Sequence, residues 1–252
     1  MKKELSYDWY KLRKSKTLKT TLIFSISLGL LLILLDYILW ITDGPPWSLR
    51  SFLEMSRSDG IAELCVIIFV SYFATKDYSG GYIKNIYKSM NKFNYIFSKY
   101  IYSFLFVVVL VVVKMAFALI LHLLFANEYI YNPLKDSFTI GEYIVNRLIY
   151  IGLLTALSSL IIFLSTIAKK SSIVLIFFLA YLMFLSSAFY SVMNIFMKTG
   201  VEFANYTVFG NIQRIHNTMG RVADIKKAVI CIVSYSIVSI IGSWVVLKKK
   251  SY

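Results

Sequence analysis

The chain has 252 residues, 58% of them hydrophobic and only 16% charged, with a formal net charge of +14. A soluble domain of this size carries about a quarter of its residues charged. Here the charges cluster between long apolar runs, which excludes a soluble globular protein and leaves no outside segment long enough for its own core. The lysines and arginines gather at the ends of apolar runs, as topology signals do, so the basic excess does not point to nucleic acid. Residues 1–252 are read as one all-α membrane domain.

Residues 1–19 carry Lys2, Lys3, Lys11, Arg13, Lys14, Lys16 and Lys19 among Leu5, Trp9, Tyr10 and Leu12. On a helix, Leu5, Trp9 and Leu12 share one face and much of the charge lies opposite, the pattern of a segment lying in the headgroup plane. Trp9, Tyr10, Lys11 and Arg13 are its expected anchors. A basic tail without structure is the alternative. The following apolar run lacks a small-x-small cleavage site, so it reads as a span rather than a signal peptide.

Thr20–Ile41 is the first expected span, long enough for roughly 30 Å of hydrocarbon. A loop with Pro45-Pro46-Trp47 follows, and Gly60–Thr75 is a shorter second span containing Glu63 and Cys65. Residues 76–99 form the longest polar interruption between apolar runs on the side that the basic residues assign to the cytoplasm. Within it Asp77 precedes Gly80-Gly81, which permits a sharp turn. Ile83, Ile86, Tyr87 and Met90 then recur at helical spacing, with Lys84, Lys88 and Lys92 on another face. That predicts a short amphipathic helix along the membrane surface, or else an ordinary basic loop.

Tyr100–Phe125 is the third span, with Lys114 near its middle and His122 beyond. Tyr143–Ala168 is the fourth, with Gly152 and Ala156 one turn apart, a spacing that lets helices approach closely. Lys169-Lys170-Ser171 makes a tight turn, and Ser172–Val192 is the fifth span. Residues 193–227 form a long segment mixing Phe196, Val201, Phe203, Val208, Phe209 and Ile212 with Lys198, Arg214 and Arg221. Ala228–Leu247 is the sixth span, followed by three lysines. The termini, residues 76–99 and the Lys169-Lys170 turn together hold 17 of the 27 lysines and arginines. The positive-inside rule therefore puts both termini in the cytoplasm.

Ionisable groups inside spans are costly and are candidates for function. Glu63 and Lys114 lie on neighbouring antiparallel spans, either as an ion pair, as two groups facing water, or as structural residues that snorkel. His122 reads as a structural hydrogen-bonding residue. No enzyme site emerges: the chain has no G-x-x-x-x-G-K-[ST] phosphate loop, no H-E-x-x-H and no G-x-S-x-G. Cys65 and Cys231 show neither metal spacing nor a disulfide framework, and no metal site is expected.

The order acid, glycine turn, basic residue, short helix, aromatic residue, Ser98-Lys99 and long apolar span resembles the permease subunits of bacterial ABC exporters with type-2 membrane domains. The small bacteriocin-immunity and antimicrobial-peptide exporter permeases are the branch it looks like. The family pattern after the second span is similar to Asp/Glu-x-x-x-Gly-x-x-Lys. Asp77, Gly80 and Lys84 stand at comparable positions, with the acid-to-glycine spacing one residue shorter. The resemblance covers the whole chain, with its basic N-terminus, six spans, polar loop and long segment before the last span. It implies a coupling surface for an ATPase at Asp77, Gly80, Gly81, Lys84, Tyr87 and Lys88, and outer short helices in 193–227 that dip back into the membrane.

The resemblance further implies a multi-pass protein of the bacterial cell membrane that contacts its lipids. Its partners would be two cytoplasmic ABC ATPase subunits holding ATP and Mg, and a second permease, identical or sister. This chain would hold no cofactor, and its substrate would be a peptide or other lipophilic compound. Two rival functions stand beside this one. An ATP-independent carrier would show inverted repeats and broken helices, and no convincing repeat relates residues 1–125 to 126–252. A protein that sequesters a peptide or scaffolds partners would need no ATPase.

Overall fold

The computed structural model describes residues 1–43, 61–79, 91–125, 140–182, 206–217 and 225–249. Eight helices account for nearly all of them: α1 Lys2–Lys14, α2 Lys16–Asp43, α3 Ile61–Ser79, α4 Lys92–Phe125, α5 Ile140–Ala168, α6 Ser171–Ala180, α7 Val208–Asn217 and α8 Ile225–Lys249. No strand occurs among the described residues. Most of the expected spans lie inside longer helices because the polar flanks continue the helix past the apolar run. The short helix expected over residues 83–92 lies outside the described residues, and α4 begins at Lys92. The fifth expected span is described only through residue 182.

Three helices are long and apolar enough to cross a membrane among the described residues: Lys92–Leu121, Ile144–Ala168 and Ile225–Lys249. The second expected span, α3, carries three charged residues, Glu63, Lys76 and Asp77, in its 19.

The core is built around α3 and α5, whose side chains are apolar on nearly every face. Ala62, Cys65, Val66, Ile67, Phe69, Val70 and Phe73 of α3 are buried, as are Leu153, Leu154, Ala156, Leu157 and Ile161 of α5. Phe69 stacks on Phe106 of α4 with ring centroids 4.0 Å apart. In contrast, α8 turns Ile230, Val233, Ile237, Val238 and Ile241 outward. An apolar surface of that extent needs lipid or another protein against it.

Lipid tails are as apolar as leucine, so contact between spans depends on close packing rather than on the hydrophobic effect. The α5–α8 seam shows how close packing is achieved. A Cβ added to Gly152 would lie 2.7 Å from the Ile232 side chain, and one added to Gly242 would lie 2.8 Å from the Phe163 ring. Gly152 thus acts as the expected small contact residue, and Ala156 beside it is fully buried.

The basic segments gather at one end of the bundle. Lys92 donates to the Leu247 carbonyl at 3.1 Å, joining the start of α4 to the end of α8. The end of α3 and the Lys169–Ser172 turn line one cleft together with Thr17 at the start of α2. Helix α1 packs on α4 at the same end. Lys169 closes α5 with a left-handed backbone, φ 59°, its N–H reaching the Ser165 carbonyl at 3.0 Å. Such a cap is usually glycine.

Candidate functional site

Three elements converge on a buried polar cluster at the basic end. Helical spacing puts Glu4, Asp8 and Lys11 on one face of α1, and all three are buried. The last turns of α3 supply Phe73 and Asp77. The first turns of α4 supply Tyr95, Ser98, Lys99 and Tyr102.

Asp77 is the hub. Lys11 donates to both of its oxygens at 3.0 Å, and the Lys99 ammonium sits 2.8 Å from Oδ2. The Tyr95 hydroxyl donates to Oδ2 at 2.7 Å and the Tyr7 hydroxyl to Oδ1 at 3.1 Å. Asp8 is the second acid. It pairs with Lys99, accepts a hydrogen bond from Ser98, and lies 3.4 Å from Lys11. Tyr102 donates to the Leu5 carbonyl at 2.9 Å, fastening α1 along α4. The Phe73 ring lies under both ammoniums, 4.7 Å from Lys11 and 4.6 Å from Lys99, close enough for cation–π attraction.

Two carboxylates and two ammoniums make a neutral set, which is why the interior tolerates it. At an effective dielectric of 20, one contact at 3 Å is worth about 5 kcal/mol before desolvation, and burial removes much of that gain. Burial pushes the Asp77 carboxyl up, but Lys99 and Lys11 together with the Lys99 and Tyr95 hydrogen bonds win, holding it well below the usual carboxylate range. Burial and repulsion from Lys99 bring the Lys11 ammonium down to about 8, against the pull of Asp77 and Asp8. Asp77 answers to two cations and two phenols, so it keeps its charge. Lys11 also offsets an electrostatic misfit. A carboxylate at a helix C-terminus opposes the macrodipole, and the ammonium reaches the Phe73 carbonyl of the same turn at 3.4 Å.

Two of the expected site residues lie inside this cluster. Lys11, expected as a headgroup anchor, has a side chain only 9% exposed and pairs with Asp8 and Asp77. The face of α1 turned inward is the charged one, because Asp77 and Lys99 wait there as partners, whereas Trp9, Tyr10 and Arg13 stay exposed. Asp77, expected on the ATPase-coupling surface, is 1% exposed, and its contacts given above all lie within the chain. Gly80, Gly81, Lys84, Tyr87 and Lys88 lie outside the described residues.

A second polar group lies deeper in the bundle. Glu63 is buried and accepts a hydrogen bond from Tyr150 of α5 at 2.9 Å. Lys114 is buried beside Gly29 of α2, and both Glu63 and Lys114 lie within electrostatic reach of the Cys65 thiol. That thiol donates to the Ser25 carbonyl at 2.9 Å. Glu63 and Lys114 thus both lie near Cys65, and Tyr150 is a partner of Glu63 that sequence reading missed. The His122 side chain lies outside the described ones. No group of three or more potential metal ligands occurs among the described residues.

Asp8 and Lys99 are the main members of the first cluster that sequence reading did not assign. The signal available was Glu4 and Asp8 one helical turn apart, two acids inside an otherwise basic segment, with Lys11 on the same face. Residues 5–185, from α1 through α6, match the family described as ABC-2 family transporter protein. No curated protein matches the chain. The match covers more than two thirds of the sequence, and Asp8, Lys11, Asp77 and Lys99 all lie within it: the chain belongs to the ABC-2 family of transporter membrane proteins.

Proposed function

We propose that this chain is the permease of an ATP-driven exporter in the cytoplasmic membrane, with six spans and both termini inside, and that residues 76–99 receive movement from the ATPase. Family membership supplies the coarser statement: a non-catalytic membrane subunit that works with an ABC ATPase. ATP and Mg belong to that partner. The observation that carries the mechanism is the ion cluster. Asp77 lies just before residues 80–90 and Tyr95 and Lys99 just after, and the cluster ties both sides to each other and to α1. A push on residues 80–90 would reach α1, α3 and α4 as one body rather than being absorbed by loose helix ends.

Gathering of the basic segments at one end supports the six-span topology with both termini on the cytoplasmic side. The segment 193–227 is proposed to re-enter the membrane from the outside. In support, α7 buries Val208, Phe209, Ile212 and Ile215, with Phe209 at 4.8 Å from Tyr181 by ring centroids. Tyr181 is ten residues along from Ser171, about 15 Å from the basic end, which is about half the hydrocarbon depth. Thr207 accepts from the Gly210 N–H at 3.0 Å, so the start of this helix is capped where water is scarce. The substrate class proposed is an amphipathic or antimicrobial peptide, carried outward between two permeases.

The test is co-purification with the cognate ABC ATPase. Lys84→Glu with Lys88→Glu should leave a monodisperse permease that no longer retains the ATPase. Wild-type chain that binds no ATPase under any condition would refute the exporter reading and favour a protein that sequesters a peptide or scaffolds partners.

A further inference from the structure

Between the basic ends of α2, α3 and α6 the surface opens into a cleft of about 470 Å³, lined by Thr17, Tyr72, Thr75, Lys76, Tyr78 and residues 169–172. Its lining brings Lys76 of α3 together with Lys169 and Lys170 of the α5–α6 turn, adds the hydroxyls of Thr17, Ser171 and Ser172, and includes no acid. Three lysines and several hydroxyls around one cleft suit an oxyanion of phosphate type.

A second cleft, of about 510 Å³, continues from the first, because Thr17 and Tyr72 line both. Its further walls are Thr20, Thr21, Phe24, Ile68 and Leu175. Thr17 to Phe24 on α2 and Thr75 to Ile68 on α3 are each seven residues, so the apolar groove descends about 10 Å from the basic cleft. Phe24 of α2 and Tyr72 of α3, both in its wall, stand exposed, so the groove is open to the surface of the bundle. The order is a cationic pocket at the membrane surface with an apolar channel beneath it.

We propose that these joined clefts hold one anionic phospholipid of the leaflet at the basic end. The phosphate sits among Lys76, Lys169 and Lys170, and an acyl chain lies along Phe24, Ile68 and Leu175. Basic pockets between spans at a membrane face are a known mode of anionic headgroup binding. The groove selects the lipid over a free phosphate, which would use the upper cleft alone. A lysine at position 169, where the left-handed backbone favours glycine, is consistent with a side chain kept for its charge. The site depends on neither the ATPase nor the direction of transport. It would fix the α5–α6 turn against α3 beside Asp77.

The experiment uses the full chain, purified and delipidated, with phosphatidylglycerol, phosphatidylcholine and glycerol phosphate as probes. Bound lipid is counted by native mass spectrometry. Wild type should retain one phosphatidylglycerol in preference to phosphatidylcholine, and millimolar glycerol phosphate should not displace it. Lys169→Gln with Lys170→Gln should weaken phosphatidylglycerol at least tenfold, with Lys169→Arg plus Lys170→Arg restoring it. Leu175→Trp should fill the groove and weaken the lipid about as much. All these positions are at the surface or in open clefts, and an unchanged elution profile checks folding. A photoactivatable phosphatidylglycerol should label α2 or α6 in the wild type without recourse to variants. Labelling elsewhere, equal retention by the glutamine variant, or displacement by glycerol phosphate together with indifference to Leu175→Trp would overturn the assignment.

Discussion

Asp77→Asn tests the ion cluster most directly. The change keeps the shape of the side chain and removes one negative charge, leaving Lys11, Lys99 and Asp8 with a net charge of +1 in a site where all three are 9% exposed or less. Two ammonium contacts, at 3.0 and 2.8 Å, lose their carboxylate. Removing one partner of a buried pair costs about 3–5 kcal/mol. Part of this is recovered because burial and Lys99 already hold the Lys11 ammonium down, so it releases its proton more readily once Asp77 is neutral. Each unit of further depression is worth about 1.4 kcal/mol. The expected net loss is therefore about 3 kcal/mol at neutral pH. Unfolding of the purified permease in mixed micelles, followed by a helix signal, measures it. The double variant Asp77→Asn with Lys11→Met restores neutrality, with Asp8 and Lys99 still paired, and should recover more than half of the loss. A single variant within 1 kcal/mol of wild type, or a double variant no better than the single, would refute the view of the cluster as a set of interdependent charges.

Other outcomes follow from the same geometry. Lys11 binds its proton less readily folded, near 8, than unfolded, near 10.5; between these values the unfolded chain holds more protons, so this group makes stability rise with pH across that window. Lys11→Met should flatten the slope, in a site where Asp8, Asp77, Lys99 and Tyr7 face the ammonium; an unchanged slope would assign it elsewhere. Gly242→Ala drives a Cβ to 2.8 Å from the Phe163 ring, so overpacking of about 1–3 kcal/mol should exceed the roughly 1 kcal/mol gained in helix propensity. Gly152→Ala meets only the mobile tip of Ile232 and should be close to neutral; equal unfolding midpoints for the two variants would refute the distinction. Lys114→Met should impair transport or assembly if the Glu63 region is more than packing, and normal vesicle transport with normal yield would show that it is not.

The membrane class, the helical fold and the approximate place of the long helices follow from local properties of the sequence. Apolar runs of about 20 residues cannot satisfy their backbone in lipid except as helices, and basic residues between alternate runs mark the ends that belong together. That is why Lys92 and Leu247, 155 positions apart, could be expected at one end of the bundle before their contact was seen. Gly152 was likewise legible, because a helix of known pitch shows which small residues share a face.

The partners of Asp77 were not legible in this way. Lys11 is 66 positions away and Tyr95 is 18, and no local period links them. The inward face of α1 was not legible for the same reason. Its apolar stripe argues for lipid contact and its charged stripe for water, until the fold places Asp77 and Lys99 beneath the charged stripe. Desolvating charge is favourable only when opposite charge is already in place, and that condition is met by tertiary structure alone.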